Sequence, residues 1–241
     1  MTGDAAIPAI IELAGVEKTY RSPAGRGRGV GFRALGGVDL VIGAGEMVAI
    51  TGPSGSGKTT IINLIAGIDR PTAGTVTVAG QRLDQLTEDQ LARWRGRTIG
   101  IVFQFFQLMP TLTATENATL PLDLAHRGPA RDRKATAGRH LATVGLADRA
   151  DRLPLELSGG EQQRVAIARA MACDPPVLLG DEPTGNLDTT MAQEMFGLMQ
   201  NLNQAGTTVV YVTHDEALAA LASRIVSVRD GLIVADTGRQ P

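Results

Sequence analysis

The chain has 241 residues, enough for one large α/β domain with a substantial buried core. Its 23 basic and 25 acidic residues give a formal net charge of -2, which excludes a general electrostatic attraction to nucleic acid or anionic lipid. The single cysteine, Cys173, excludes an intramolecular disulfide and is expected in the core. Every apolar run is shorter than the roughly 20 residues of a membrane-spanning helix. We therefore expect a cytoplasmic protein.

Short strand patterns alternate with helical patterns along the chain, which predicts an α/β fold with a mainly parallel sheet. A helical run is predicted at residues 60–66. Asp230 and Gly231 predict a hairpin turn, because this dipeptide tolerates positive φ angles, so the chain ends antiparallel. The predicted strands are residues 10–16, 38–42, 47–51, 75–79, 99–103, 177–180, 207–212, 225–229 and 232–235.

Helix signals dominate between residues 86 and 172, which predicts a helical subdomain inserted into a single domain of residues 1–241. Thr113 and Glu116 have the spacing of a capping box, in which two side chains satisfy the free N–H groups at a helix start. Gly145 predicts the end of a helix that begins near residue 130. The middle of the chain is therefore expected to be mostly helical.

For three other features of the sequence we predict no ligand-binding role. Residues 21–33 are rich in glycine and arginine and predict a solvated loop between two strands. His126 and His140 lack a motif around them, and we expect both side chains to be solvated.

A phosphate-binding pattern, G-x-x-x-x-G-K-[ST], lies between a predicted strand and a predicted helix. Its glycines let backbone N–H groups surround phosphate oxygens, while the helix N-terminus and Lys58 add positive charge. The Thr59 hydroxyl suits Mg²⁺. The alternative is a glycine-rich turn without a ligand, which the motif's context disfavours. The residues expected to bind a nucleoside triphosphate are Gly52, Pro53, Ser54, Gly55, Ser56, Gly57, Lys58, Thr59 and Thr60.

Two adjacent carboxylates, Asp181 and Glu182, end the predicted strand 177–180. In a parallel sheet, ligands bind at the carboxyl ends of the strands, so both are expected to face the nucleotide that Lys58 binds. Phosphoryl transfer depends on positioning and charge neutralisation. We assign Asp181 to magnesium and Glu182 to the attacking water; surface or helix-capping acids are the alternative.

Residues 157–170, Leu-Ser-Gly-Gly-Glu-Gln-Gln-Arg-Val-Ala-Ile-Ala-Arg-Ala, resemble the signature sequence of ATP-binding cassette (ABC) ATPases. Their first residues open a predicted helix, whose N-terminus predicts a second anion site. The resemblance implies the ABC ATPase fold: a P-loop NTPase core, an antiparallel β subdomain and an inserted α-helical subdomain. It also implies a head-to-tail dimer, in which one subunit completes the ATP site of the other with Ser158, Gly159, Gly160 and Gln162.

Single positions gain roles from the same resemblance. Tyr20 resembles the aromatic residue that stacks on adenine, although a strand-end tyrosine is a serious alternative. Gln104 resembles the glutamine that reaches Mg²⁺ and the attacking water, against the alternative of a solvated loop residue. Asp188 resembles a residue of the loop that crosses the dimer interface, and His214 resembles the histidine that contacts the γ-phosphate. Catalysis is thereby assigned to Glu182, Gln104 and His214.

Residues 103–110, 112–117 and 181–188 look most like the macrolide-export, lipoprotein-release and cell-division branch of the family. This resemblance implies a homodimer that hydrolyses ATP with Mg²⁺ and powers export or transmits force. Separate permease subunits would contact residues 104–112, where Phe105, Phe106 and Leu108 look exposed or else pack in the core. The protein would then be peripheral on the inner face of the membrane.

Two alternative functions belong to other classes. A nucleic-acid-associated ABC-type ATPase usually carries a long coiled-coil insertion or a second cassette, and neither occurs in this sequence. A small-molecule P-loop kinase leaves the signature at residues 158–162 unexplained. The transporter ATPase is therefore the favoured interpretation.

Overall fold

The computed structural model describes residues 8–21, 31–185 and 187–238. They form two compact units, the first of the described residues up to Thr87 and from Val212 onward, the second of the described residues of Glu88–Tyr211. In these ranges no helix combines the length and the apolar character that crossing a membrane requires. The inserted helical subdomain at residues 86–172 stays a prediction.

Strands and helices alternate along the described residues, which confirms the predicted α/β class. The strands are β1 (Ala9–Tyr20), β2 (Phe32–Gly43), β3 (Met47–Thr51), β4 (Ala73–Val78), β5 (Gln81–Arg82), β6 (Ile99–Phe103), β7 (Val177–Asp181), β8 (Thr208–Val212), β9 (Arg224–Arg229) and β10 (Leu232–Asp236). The helices are α1 (Lys58–Ile65), α2 (Glu88–Thr98), α3 (Ala114–Leu124), α4 (Ala130–Thr143), α5 (Gly159–Met171), α6 (Thr189–Gln204) and α7 (Glu216–Ala219).

The first unit contains an antiparallel sheet with the strand order β2-β1-β4-β5. Successive side chains of a strand point to opposite faces, so the alternating apolar residues of β1 and β2 share one buried face. Ile11 pairs with Ile42 and Leu13 pairs with Leu40, and all four are buried. In the same unit, β3 pairs in parallel with β9, and β9 pairs antiparallel with β10. The predicted antiparallel chain end is confirmed.

The second unit pairs β6 and β7 in parallel and packs α3, α4 and α5 against one another. The buried rings of Phe196 and Tyr211 meet edge to face, with centroids 4.9 Å apart. The predicted capping box is confirmed, because the Glu116 N–H donates to Thr113 Oγ1 (3.2 Å) and the Thr113 N–H donates to Glu116 Oε2 (2.8 Å). Gly145, with φ of 75°, follows α4 as predicted.

Strand boundaries agree with the sequence where apolar runs are short and sharply bounded. Strands β3 and β6 have the predicted limits. The predicted end of the loop at residues 21–33 is wrong, because Phe32 and Arg33 belong to β2 and pair with the last residues of β1. Its part at 22–30 lies outside the described residues.

Two side-chain environments differ from expectation. The His140 imidazole is only 18% exposed and its Nε2 lies 3.5 Å from Asp174 Oδ1, so the prediction of a solvated side chain was wrong. Burial lowers the pKa of His140. Cys173 is partly exposed instead of sitting in the core, and its partial burial raises the pKa of the thiol. His126 is exposed, as predicted.

One buried ion-pair network connects strands of the first unit. The Arg224 guanidinium donates to both carboxylate oxygens of Asp236 (2.8 Å each), to Glu46 Oε2 (2.9 Å) and to the Val41 carbonyl (2.9 Å). The side chains of Arg224 and Asp236 are 11% and 9% exposed. These hydrogen bonds, first of all those with Asp236, raise the pKa of Arg224.

We expect Arg224→Lys to lower the free energy of unfolding by about 2 kcal/mol, because lysine cannot make the two parallel bonds to Asp236. Urea denaturation followed by circular dichroism measures this change. Arg82→Lys is the matched control: Arg82 makes a similar two-bonded contact with Asp84 (3.2 and 2.7 Å), but its side chain is 46% exposed. Exposed pairs contribute little, so the control should stay near wild type. Equal losses in both variants would contradict the prediction.

Candidate active site

The phosphate loop leaves β3 and is packed against backbone atoms of two other strands. Gly52 has φ of 144°, and a Cβ there would lie 2.0 Å from the Val228 carbonyl oxygen. Gly57 has φ of 107°, and a Cβ there would lie 2.7 Å from the Ala34 carbonyl oxygen. Only glycine accepts both the positive φ and the close approach. The loop is therefore fixed against β9 and β2.

Lys58 is the first residue of α1, and its side chain folds back over the loop. The residue is 7% exposed, and its Nζ donates to the carbonyls of Gly52 and Pro53 (2.8 Å each). The N-cap residue of α1 is Gly57, which has no side chain to occupy the first N–H groups of the helix. Ser56 Oγ is buried and has no hydrogen-bond partner in the part of the chain that the structure describes. A cation, a helix N-terminus and a hydroxyl thus converge, as a triphosphate requires.

The turn between β9 and β10 supports this loop from the side. The Gly231 N–H donates to the Ser56 carbonyl (2.9 Å), and the Gly231 carbonyl accepts from the Gly36 N–H (2.9 Å). The φ angles of Asp230 (50°) and Gly231 (75°) agree with the predicted hairpin turn. The sequence predicted the turn but not its contact with the phosphate loop. Backbone atoms make this contact, so no pattern of side chains indicates it.

Tyr20 ends β1 and is 39% exposed. Its hydroxyl donates to Asp69 Oδ2 (2.9 Å) and also hydrogen bonds with the Thr60 side chain. Burial raises the pKa of Tyr20, as does the hydrogen bond to Asp69. Partial burial opposes the ionised form of Asp69, but hydrogen bonds, first of all the one from Lys18, hold the pKa of Asp69 below its ordinary value. Tyr20 is therefore a strand-end residue with an ordered side chain.

His214 follows β8 and is exposed. The Thr213 N–H donates to the Ile50 carbonyl of β3 (3.2 Å), which places His214 near the end of β3 from which the phosphate loop begins. Asp215 caps α7 by accepting hydrogen bonds from two backbone N–H groups of that helix (2.8 and 3.2 Å). In the first unit, the structure thus brings His214 close to the start of the phosphate loop.

The second unit brings the predicted acidic residues and glutamine together. Asp181 ends β7 and pairs with Phe103 at the end of β6, so Glu182 and Gln104 leave the sheet side by side. The Gln104 side chain packs closely against the backbone of Gly185, where a Cβ would lie 2.9 Å from Gln104 Nε2. Glu182 has φ of 46°, a left-handed conformation that costs energy for a residue with a side chain. Five other non-glycine residues in the described ranges have a φ near 50°, so this conformation supports the site only together with the position of Glu182 at the strand end.

The signature residues open α5, as predicted. Ser158 is the N-cap: its Oγ accepts from the Glu161 N–H (3.3 Å), and Glu161 Oε2 accepts from the Ser158 N–H (2.8 Å). The Ser158 N–H and Arg149 lower the pKa of Glu161. A cavity of about 270 Å³ beside the helix start is lined by residues that include Ser158 and Gly160. The helix is confirmed, while anion binding by Ser158, Gly159 and Gly160 stays a prediction.

Asp188 and Gln162 have structural partners of their own. Asp188 Oδ1 accepts from the Met191 N–H (2.9 Å) and so caps α6. Gln162 Nε2 donates to the Leu157 carbonyl (3.1 Å). Asn186, in the same predicted interface loop as Asp188, lies outside the described residues. The nucleotide-binding roles of Asp188 and Gln162 stay predictions.

Sequence reasoning missed two residues of α5 that hold the site in place. Gln163 is 1% exposed and its Nε2 donates to the Pro183 carbonyl, in the turn after β7. The Arg169 guanidinium donates to the carbonyls of Phe106 (2.7 Å) and Gln107 (2.5 Å), after β6. A glutamine on the apolar face of a predicted helix is the signal that could have revealed the first contact.

These features define a class of protein. The first unit has a phosphate loop with a buried lysine at a helix N-terminus, and the second has a strand that ends in two carboxylates next to a glutamine. This combination of local sites is typical of nucleoside triphosphatases of the P-loop type.

Comparison with known proteins gives the family. The family model described as ABC transporter matches residues 35–185. The chain is 52% identical over 228 residues to the lipoprotein-releasing system ATP-binding protein LolD of Anaeromyxobacter dehalogenans, covering 94% of this chain and 93% of that one. It is 47% identical to the uncharacterized ABC transporter ATP-binding protein YknY of Bacillus subtilis, over 93% and 95% of the two chains. It belongs to the ABC transporter family, as an ATP-binding, ATP-hydrolysing subunit.

Longer relatives and solved structures agree with this assignment. The chain is 42% identical to the macrolide export ATP-binding/permease protein MacB of Hyphomonas neptunium, covering 97% of this chain and 35% of the relative. It thus spans about a third of the length of that protein. A dimeric post-hydrolysis state of the ATP-binding cassette MJ0796, bound to ADP and Pi, matches with a TM-score of 0.85, 41% identity and coverage of 94% and 97%. The predicted branch and fold are confirmed, and the nucleic-acid alternative has no support.

We expect Gly231→Ala to weaken ATP binding, because a Cβ at this position would lie 2.6 Å from the Ala34 carbonyl oxygen and push the turn away from Ser56. Displacing one backbone hydrogen bond of the loop should lower the affinity by about fivefold. Fluorescence titration with a nucleotide analogue measures the affinity.

Gly80→Ala is the matched control for this variant. Gly80 has nearly the same φ (74°) in the same unit, and nothing lies within 4 Å of its Cβ position. It therefore carries the backbone strain without the collision and should leave the affinity unchanged. A similar loss in both variants would attribute the effect to backbone strain and would contradict a role for the contact between Gly231 and Ser56.

Proposed function

We propose that this subunit powers export or extrusion of a lipid, lipoprotein, peptide or drug, or transmits force across the membrane, through membrane-spanning permease subunits. The relatives LolD and MacB, named for lipoprotein release and macrolide export, support this direction of transport. The observation that carries the catalytic part is the convergence of Asp181, Glu182 and Gln104 where β6 and β7 end.

In the proposed reaction, Lys58 and the N–H groups of the phosphate loop neutralise charge on the triphosphate. The Glu182 carboxylate orients a water molecule for attack on the γ-phosphorus and accepts its proton, while the bond to the leaving ADP oxygen breaks. Gln104 helps to hold that water, and His214 contacts the γ-phosphate. The strained turn at Glu182 fits a group held in one orientation.

A magnesium ion fits the donors that these residues offer. The Thr59 hydroxyl, the Asp181 carboxylate and the Gln104 amide oxygen are hard oxygen ligands, which Mg²⁺ uses together with phosphate oxygens and water. Asp181 is partly buried at the strand end next to Gln104. When bound, the ion would neutralise charge on the phosphate oxygens.

We further propose that two copies of the chain bind ATP between them. The N-terminus of α5 offers the N–H groups of Gly159 and Gly160 and the Ser158 hydroxyl to an anion, which would be the γ-phosphate bound by the other copy. Gln162 and Asp188 would lie at the same interface. The solved cassettes that match at a TM-score of 0.85 are described as dimeric, which supports this arrangement.

The permease is proposed to contact residues 104–112. Phe105 is 70% exposed and Met109 is 45% exposed, whereas Phe106 and Leu108 are partly buried. The exposed side chains of Phe105 and Met109, an aromatic and an apolar residue in one short segment, favour a contact with another protein. Arg169 hydrogen bonds with the backbone of this segment, so a force on the segment would reach α5. In the cell, this contact would hold the subunit on the cytoplasmic face of the membrane.

We expect Glu182→Gln to keep ATP affinity near that of wild type and to lower turnover by at least about 100-fold, because the amide cannot accept the proton of the water. Phosphate release measures turnover, and nucleotide titration measures affinity. Glu88→Gln is the control, since Glu88 is an exposed glutamate at the start of α2 in the same unit and is not among the residues that line the cavity beside α5, and it should retain full turnover. Unchanged hydrolysis in Glu182→Gln would remove Glu182 from its catalytic role.

A further inference from the structure

Three charged or polar side chains surround Tyr20, and the proposed reaction uses none of their contacts with it. Lys18 Nζ donates to Asp69 Oδ1 (2.5 Å) and lies 4.8 Å from the centroid of the Tyr20 ring. Asp69 Oδ2 accepts the Tyr20 hydroxyl (2.9 Å), and the Thr60 side chain hydrogen bonds with the same hydroxyl. The Lys18 and Asp69 side chains are only 12% and 27% exposed. The cluster is therefore ordered rather than a passing surface contact.

Asp69 is itself fixed by the backbone. Its Oδ1 also accepts from the Arg70 N–H (2.7 Å), and Lys18 Nζ donates in addition to the Arg70 carbonyl (2.8 Å). The carboxylate thus has donors from the ammonium, the phenol and the main chain at once. Charge-assisted hydrogen bonds of this kind are stronger than neutral ones. Asp69 is therefore a firm anchor for the tyrosine hydroxyl.

The cluster decides which part of the ring is open to a ligand. An aromatic ring has two faces, and the Lys18 ammonium lies over one of them, where the ring quadrupole attracts it. The hydroxyl end of the ring is held by Asp69 and by Thr60, the third residue of α1. Tyr20 is still 39% exposed, and a flat group that stacks on this ring would have to use the face opposite Lys18.

We propose that Asp69 is a positioning residue for the base of the nucleotide. It holds the Tyr20 ring in one orientation through the hydroxyl, while Lys18 covers one face and leaves the other for adenine. A side chain that is ordered before binding loses less entropy on binding, so the base binds more tightly. The inference rests on the proposed function, in which Tyr20 stacks on adenine.

The test compares affinity for ATP with affinity for inorganic tripolyphosphate, which has the phosphates but no base. Tyr20→Ala removes the ring and should weaken ATP binding by about tenfold. Tyr20→Phe and Asp69→Ala remove the same hydrogen bond from opposite ends, and each should weaken ATP binding by about fivefold. The double variant Tyr20→Phe/Asp69→Ala should be no worse than either single one. Tripolyphosphate affinity should stay unchanged throughout.

Asp84→Ala is the matched control, because Asp84 forms an ion pair with Arg82 in the same unit and belongs to no contact with Tyr20. It should leave both affinities unchanged. If Tyr20→Ala does not weaken ATP binding, the adenine stacking of the proposed function fails, and this inference fails with it. If only Tyr20→Ala weakens it, stacking stands and the positioning role of Asp69 is overturned. Equal losses for ATP and tripolyphosphate in Asp69→Ala would also overturn it, since they indicate a general disturbance of the unit.

Discussion

The close approach of the phosphate loop to neighbouring backbone is the constraint on which the first unit depends. Side chains at Gly52 and Gly57 would collide with the carbonyl oxygens of Val228 and Ala34, so these glycines let the loop rest directly on β9 and β2. The Gly231 turn adds a hydrogen bond from the side. The loop is thereby shaped by strands that are distant in sequence, and its Gly52 and Pro53 carbonyls accept hydrogen bonds from Lys58. A site held in shape by its surroundings lowers the entropy cost of binding.

In the second unit, helix α5 has a comparable role. Its N-terminus carries the signature residues, Gln163 connects it to the turn that contains Glu182, and Arg169 connects it to the segment after Gln104. The proposed anion site, the proposed water-orienting carboxylate and the proposed permease surface are therefore attached to one helix by hydrogen bonds. A movement of this helix would change all three together, which gives a physical basis for coupling hydrolysis to transport.

The site motifs could be predicted because each is local. The phosphate loop, the carboxylates after β7 and the start of α5 all need particular residue types within a few positions of one another, and the strand and helix patterns around them fixed the α/β class. The contacts of Gly231 with Ser56, of Asp69 with Tyr20 and of Gln163 with Pro183 could not be predicted. These contacts join residues from different elements. Several of them involve backbone atoms, whose positions no sequence pattern indicates.

In the proposed dimer, the N-terminus of α5 in one copy faces the ATP held by the phosphate loop of the other. Light scattering with and without Mg-ATP tests it on Glu182→Gln, in which ATP should persist, and on Glu182→Gln/Ser158→Arg, in which a bulky cation blocks the helix start. We expect ATP to double the mass of the first protein, while the second binds ATP and stays monomeric. A dimer that survives Ser158→Arg, or an ATP-bound Glu182→Gln protein that stays monomeric, would contradict it.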